Sequence, residues 1–428
     1  MFIIIYEMII SIVIIVTFFT IAFFNIRLGI LLLWPMILLY PYGLIGNLLP
    51  GGINFNDIYI VFLMIIILIK KNFKIEFYGI AKIVLFIVVM HFFTDILGTI
   101  FSLKIVSFKI IGFQLRTLIK SLEYLFISII IYNSLKDEQD IKNIIYSLLI
   151  TVFGLCIIAI FQYLNYDFGD YFYNVDRVIE EGHERATGTT KGPWALGGLM
   201  AMINLILLTI ILNVKGNYKY YIIFLFSLIA VIFSRSRASW LMLAFGYFII
   251  FYKSNRKIYF LSGFLFLALI IYFIFPSLYE TISFRVGYTF SFGKGVLDDS
   301  SAARIEIWKE LFKSIDIWTL IFGKGSYGLK QIFETTPHNG YLAILLYNGV
   351  IGIMAYFILF YSYFKKNKKL LNLEQDNLLK SLWHGIFIST IAFFTFNLVT
   401  EAYYTFSIMV VLLFFYYLTD VRIKMLET

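Results

Sequence analysis

The stretch "ETTPHNGYLAILLYNGVIGIMAYFILF" (334–360) sets His338 and Asn339 at the mouth of a long apolar run. An imidazole exchanges a proton near neutral pH, so a His at such a boundary can serve as a base or, more plainly, as a solvated cap. Asn339 can cap the turn or hold the ring. Three further segments supply cations: "HERATGTTKGPWALGG" with Arg185, "FSRSRASW" with Arg235 and Arg237, and "SAARIEIWKELFKSIDIW" with Arg304. A guanidinium beside a membrane span is costly unless it snorkels to headgroups, pairs, or lines a wet cavity. Its planar fork matches phosphate oxygens two at a time. Several guanidiniums and one imidazole at headgroup depth fit the handling of a phosphorylated lipid, and a lipid-linked pyrophosphate is the natural molecule of that description.

Other polar residues offer less. Glu401, in "TFNLVTEAYY" (395–404), can orient His338 or bind a second substrate, although a solvated turn acid has the same appearance. Asp298 and Asp299 lack a third ligand and suit a helix N-terminus better than a cation cage, so no metal or other cofactor is expected. Arg304 follows them in the first turn of its helix, where the dipole prefers an acid; it is held either for a ligand or by a salt bridge to Asp299. His91 and Asp95 share one apolar run at i,i+4 and read as a buried hydrogen-bonded couple or, in a transporter, as part of a proton path. The single cysteine, Cys156, sits in an apolar run and excludes an intramolecular disulfide framework.

These residues hang on a chain that must live in a bilayer. Of 428 residues, 61% are hydrophobic and 14% charged, with a mean hydropathy of +0.87, far from the ~25% charged content of soluble domains. The continuous apolar runs predict α-helical spans and exclude a β-barrel, whose strands alternate. About a dozen spans (12 to 13) are expected. They lie near 2–25, 28–46, 54–69, 80–101, 116–133, 144–164, 192–213, 217–233, 238–252, 257–275, 338–364, 381–400 and 402–419. The first run lacks a basic leader and reads as a retained span rather than a cleaved signal. Residues 165–191 and 276–337 stay outside the spans, which divides the chain into 1–164, 165–191, 192–275, 276–337 and 338–428. Within the larger loop, Ile305, Trp308, Phe312, Ile315 and Trp318 recur at helical spacing and predict an amphipathic interfacial helix, capped by Ser300 or Ser301.

Lys and Arg concentrate in "KKNFK" (70–74), "KDEQDIK" (136–142), "KGNYK" (215–219), "KSNRK" (253–257), "KKNKK" (365–369) and the "RIKM" tail (422–425). All fall on one side if the spans alternate, and the positive-inside rule makes that side cytoplasmic. The net charge of +9 thus sits mainly at a membrane surface, and no nucleic acid is expected as a partner. Arg185, Arg237, Arg304 and His338 then gather on the outer face.

At these segments the chain resembles the O-antigen ligase and O-antigen polymerase superfamily. "SRSRASWLMLAFG" is similar to its Ser-Arg-Gly-Ala element, with Ala238 in place of the usual Gly. "RIEIW…LIFGKGSYG…PHNGYLAILLYNGVIGI" resembles its downstream Arg, Gly-x-Gly and His-Asn signature, and "RATGTTKGPWALGG" its upstream Arg-x-x-Gly element. The resemblance covers roughly 180–360 in motifs and implies a GT-C-like, metal-independent membrane glycosyltransferase of the bacterial inner membrane, working on its periplasmic face. The donor would be a glycan on undecaprenyl pyrophosphate. The acceptor would be a sugar hydroxyl on lipid A core or on another lipid-linked repeat unit. In that scheme Arg237 and Arg304 bind pyrophosphate, Arg185 matches less closely, and His338 is the general base of an inverting displacement. The rival reading is a polysaccharide or lipid-linked sugar flippase, which would place its charges within the spans and show inverted repeats.

Overall fold

The computed structural model describes residues 2–39, 54–102, 108–164, 179–180, 183–216, 218–253, 299–313, 315–325 and 337–428. The expected span at 257–275 and Asp298 lie outside these residues, as do the side chains of His183, Asp299, Ser300 and Ser301. The helices are α1 (Phe2–Phe24), α2 (Ile26–Leu31), α3 (Leu33–Leu38), α4 (Phe55–Lys70), α5 (Ile80–Ser102), α6 (Phe108–Ser134), α7 (Glu138–Tyr163), α8 (Pro193–Asn213), α9 (Tyr218–Phe233) and α10 (Arg237–Lys253). They continue as α11 (Asp299–Lys313), α12 (Ile317–Phe322), α13 (Gly340–Leu373), α14 (Asn377–Asn397) and α15 (Phe406–Glu427), with a 3₁₀ turn at Ala402–Tyr404. The described β-structure is one two-residue antiparallel pairing, Ile179–Glu180 with His183–Glu184. Among the described residues, six helices are long and apolar enough to cross a membrane: Ile80–Gly98, Glu138–Tyr163, Pro193–Asn213, Gly340–Leu373, Asn377–Asn397 and Phe406–Glu427. The chain is an all-α polytopic membrane protein.

Boundaries shift from expectation for local reasons. The span expected at 28–46 is broken in its described part into α2 and α3 at Leu32, and Pro35, which has no N–H to donate, falls in the first turn of α3. Helix α7 starts at Glu138 because Asp137 caps it, accepting from the Asp140 N–H at 2.8 Å. Helix α11 begins at Asp299, so Ser300 and Ser301 lie inside its first turn rather than before it. The last span begins only at Phe406 and runs to Glu427, past the expected end at 419.

Helices α8 and α15 form the centre of the bundle and are buried nearly all round, as apolar residues on every face require. The buried Asn204 inside α8 is satisfied: it donates to Phe224 O and Ser227 Oγ, both at 2.9 Å, and accepts from Tyr247 OH at 2.5 Å. Such pairing is obligatory where water cannot substitute. Two glycines near the start of α8 let other elements approach: a Cβ at Gly197 would meet Ser234 Oγ at 2.6 Å, and one at Gly198 would meet the Phe396 ring at 2.6 Å. The α9–α10 turn and the end of α14 thus converge on one end of α8.

The opposite end is tied by charge. Arg422 donates to both carboxylate oxygens of Glu374 (2.7 and 2.8 Å) and to Glu138 (2.7 Å). Lys142 bridges Glu138 and Asp376, and Asp420 accepts from Lys366, Tyr132 and the Ile80 N–H. The basic "RIKM" segment continues the last helix, with Arg422 only 5% exposed. There one guanidinium satisfies two acids, Glu374 and Glu138. These bonds join the starts of α5, α7 and α14 to the ends of α6 and α15. The starts of α8, α10 and α13 must then lie at the other end, together with the ends of α7, α9 and α14.

Candidate functional site

Every candidate residue belongs to that other end. Between α9 and α10 the chain turns through Ser234, Arg235 and Ser236, all buried. Arg235 adopts φ 49°, a left-handed conformation rare outside glycine. Hydroxyls close the turn: Ser234 Oγ donates to Val231 O (2.7 Å), Ser239 Oγ donates to Ser236 Oγ (2.9 Å), and Ser236 Oγ accepts from the Ser239 N–H (3.4 Å) at the start of α10. Arg185 adds two bonds from its guanidinium, to Ser234 O and Arg235 O, each at 3.3 Å. Arg185 is thereby brought onto Arg235, and two of its donors hold the turn.

Arg235 does not snorkel. Its side chain is 0% exposed and its guanidinium carbon lies 5.8 Å from the centre of the Tyr163 ring, a cation–π approach. Tyr163 in turn stacks on Phe233 at 3.8 Å. Arg237, the first residue of α10, keeps partial exposure. Gln162, which the sequence reading passed over, fixes the facing loop: its Oε1 accepts from the Thr187 and Gly188 N–H groups (3.1 and 2.7 Å) and its Nε2 donates to Gly188 O (2.9 Å). No local signal marked it, since a Gln at the end of an apolar helix resembles any solvated helix end.

The second cluster is built on the start of α13. Asn339 is its cap: Oδ1 accepts from the Leu342 N–H at 2.9 Å, while Nδ2 donates to Leu398 O at 2.9 Å. Of the two roles open to Asn339, the helix takes the cap. His338 precedes it at φ 50°, again left-handed. The backbone N–H of His338 donates to Glu401 Oε1 at 2.7 Å. Glu401 therefore orients His338 through the main chain.

Helix α11 lies across this point. Trp308 Nε1 donates to Pro337 O at 2.6 Å, and Leu311 is fully buried against Leu342 and Leu346. The face that packs is Ile307, Trp308, Leu311 and Ile315, whereas Phe312 and Trp318 of the expected stripe are 59% and 68% exposed. The helix expected at the interface thus also docks on protein, because α13 offers Leu342 and Leu346 to its apolar face. Arg304 lies four residues before Trp308 and so on the same helix face. Protein atoms that displace water, and then the positive charge of Arg304, hold the His338 imidazole below its ordinary value although the side chain keeps solvent access. Both influences favour the neutral imidazole, the form that accepts a proton.

The arrangement sets an imidazole and a guanidinium within electrostatic range of each other, with three more guanidiniums at the same end of the bundle, where Gly197 and Gly198 of α8 pack against Ser234 and Phe396. Among the described residues no cluster of three or more His, Cys, Asp or Glu could hold a metal. His91 and Asp95 line a separate cleft with Thr117 and Ser121, between α5 and α6. No curated protein matches this chain. Residues 222–357 match the family model described as O-antigen ligase. That segment holds the SRSR turn, Arg237, Arg304 and His338, and the match over it supports the resemblance to the O-antigen ligase and polymerase superfamily.

Proposed function

We propose that the protein transfers a glycan from undecaprenyl pyrophosphate to an acceptor sugar hydroxyl at the periplasmic face of the inner membrane, as a ligase onto lipid A core or as a polymerase onto a second lipid-linked repeat. The observation that carries this reading is the pairing of His338, favoured as the neutral imidazole and held by Glu401, with the Arg304 guanidinium. In the reaction His338 takes the acceptor proton as the acceptor oxygen attacks the anomeric carbon. The bond from that carbon to the phosphate oxygen breaks, and its electron pair leaves on pyrophosphate with inversion. Negative charge grows on the leaving group, where Arg304 and Arg237, supported by Arg185 and Arg235, stabilise it without reorganising. Proton removal by a placed imidazole contributes typically ~10²–10⁴-fold.

The test is purified protein in liposomes with a defined undecaprenyl-pyrophosphate oligosaccharide, with and without lipid A core. A new glycosidic bond supports the reading, and dependence on lipid A core separates ligase from polymerase. Passage of the lipid-linked sugar across the bilayer without any new bond would overturn it in favour of a flippase.

A further inference from the structure

The most tightly interlocked backbone among the described residues lies below the site, where the segment following α12 meets a break in α13. Gly349, inside α13, has φ 66° and ψ −167°, a region that only glycine occupies without strain. Gly323, at the end of α12, has φ 78° and ψ −179°, in the same region. The two glycines face each other's chains. A Cβ on Gly349 would land on the Ile321 carbonyl and 2.6 Å from the Phe322 nitrogen, and one on Gly323 would land on the Tyr347 carbonyl and the Asn348 nitrogen. Beside them the Lys324 N–H donates to Leu346 O at 2.7 Å.

The same segment is gripped from its other side by α5. A Cβ on Gly98 would strike the Lys324 carbonyl, and one on Gly325 would lie 2.7 Å from Thr94 O and 2.8 Å from Asp95 Cα. Asn348 Nδ2 closes the seam by donating to Thr94 Oγ1 at 2.8 Å. The obstructing atoms are mostly backbone, which cannot swing aside as a side-chain tip can. From this point α12 leads back to α11, whose Leu311 and Trp308 are fixed to α13 at Leu342, Leu346 and Pro337.

We infer that residues 323–325 and the break at Gly349 form a backbone lock, seated between α5 and α13, whose task is to position α11 so that Arg304 faces His338. The roles of Arg304 and His338 rest on the function proposed above; the lock itself does not. Gly323 and Gly349 are positioning residues, for neither needs to touch substrate. The charged or titratable groups facing His338 are Arg304 on α11 and Glu401 before the 3₁₀ turn, with Tyr347 of α13 within electrostatic range of Glu401.

The test reads His338 directly in full-length protein in nanodiscs, as its rate of modification by diethyl pyrocarbonate against pH, followed by peptide mass spectrometry. Arg304→Gln removes the repelling charge and raises the midpoint. Gly349→Ala and Gly323→Ala are expected to raise it likewise, and Gly349→Ala combined with Arg304→Gln to raise it no further than either alone. Gly98→Ala presses on the segment from α5 without touching a glycine-only conformation, and gives the same upward shift if either other variant fails to fold. Displacing Glu401 would lower the midpoint, so the sign separates the two partners. A wild-type midpoint in folded Gly349→Ala and Gly98→Ala would overturn the lock and leave these glycines as packing only. Glycan transfer measured on the same preparations judges the proposed function separately: wild type that makes no glycosidic bond refutes that function, while the titration still decides the lock.

Discussion

Replacing Glu401 tests how the base is held. The His338 N–H donates to Glu401 Oε1 at 2.7 Å, and His338 sits at φ 50°. Holding a non-glycine residue in that conformation costs about 1–3 kcal/mol. A hydrogen bond to a charged acceptor returns about 1.5–3 kcal/mol. Glu401 is half-buried, so water recovers part of the loss, which puts the net cost of Glu401→Ala near the lower end, about 1.4 kcal/mol. That amount lowers the population of the reactive arrangement, and hence the single-turnover transfer rate, about tenfold. Glu401→Gln keeps an oxygen that can accept from the same N–H, so its rate should stay within about threefold of wild type. The assay is single-turnover transfer from a pre-bound lipid-linked oligosaccharide, with donor affinity measured in parallel. Equal losses in the Ala and Gln variants would refute the positioning argument, because the charge rather than the acceptor geometry would then matter. A loss confined to affinity would make Glu401 a substrate-binding residue instead.

His338→Ala should leave donor affinity nearly intact and slow single-turnover transfer by at least ~100-fold, the lower range for a lost general base; an unchanged rate would return His338 to a capping role. Arg237→Ala and Arg304→Ala should each weaken undecaprenyl pyrophosphate binding, with Lys rescuing only in part because an ammonium lacks the two-pronged fork; full affinity in both Lys variants would move the donor site elsewhere. Arg422→Ala strands the buried Glu374 carboxylate and should cost about 3–5 kcal/mol of stability, seen as a large fall in Tm in detergent, whereas a shift of a degree or two would mean that water reaches this network. Cysteines replacing Lys309 and Lys368 should label from outside and only after permeabilisation, respectively; the reverse pattern would put the site in the cytoplasm.

The sequence by itself determined the class and the approximate extent of the long spans, and it picked out the candidate residues, because each is a property of short stretches. Twenty apolar residues in a row need no partner to declare a span. A run such as "KKNKK" declares a surface, and His338 beside Asn339 declares a helix start that Asn339 does cap. The sequence also suggested that Arg185, Arg235, Arg237, Arg304 and His338 share one end, since alternation of spans is arithmetic. Only the tertiary structure decided how each residue is held there. Arg235 proved fully buried against Tyr163, and Arg185 spends two donors on the carbonyls of the SRSR turn. Glu401 reaches His338 across 63 residues through the backbone N–H rather than the ring. The Arg422 network likewise joins acids 48 and 284 residues away, and turned an apparent basic tail into a buried clasp. The physical reason is the same throughout: hydropathy and capping are local quantities, whereas a hydrogen bond or a close backbone approach depends on where distant helices lie, and no spacing along the chain encodes that distance.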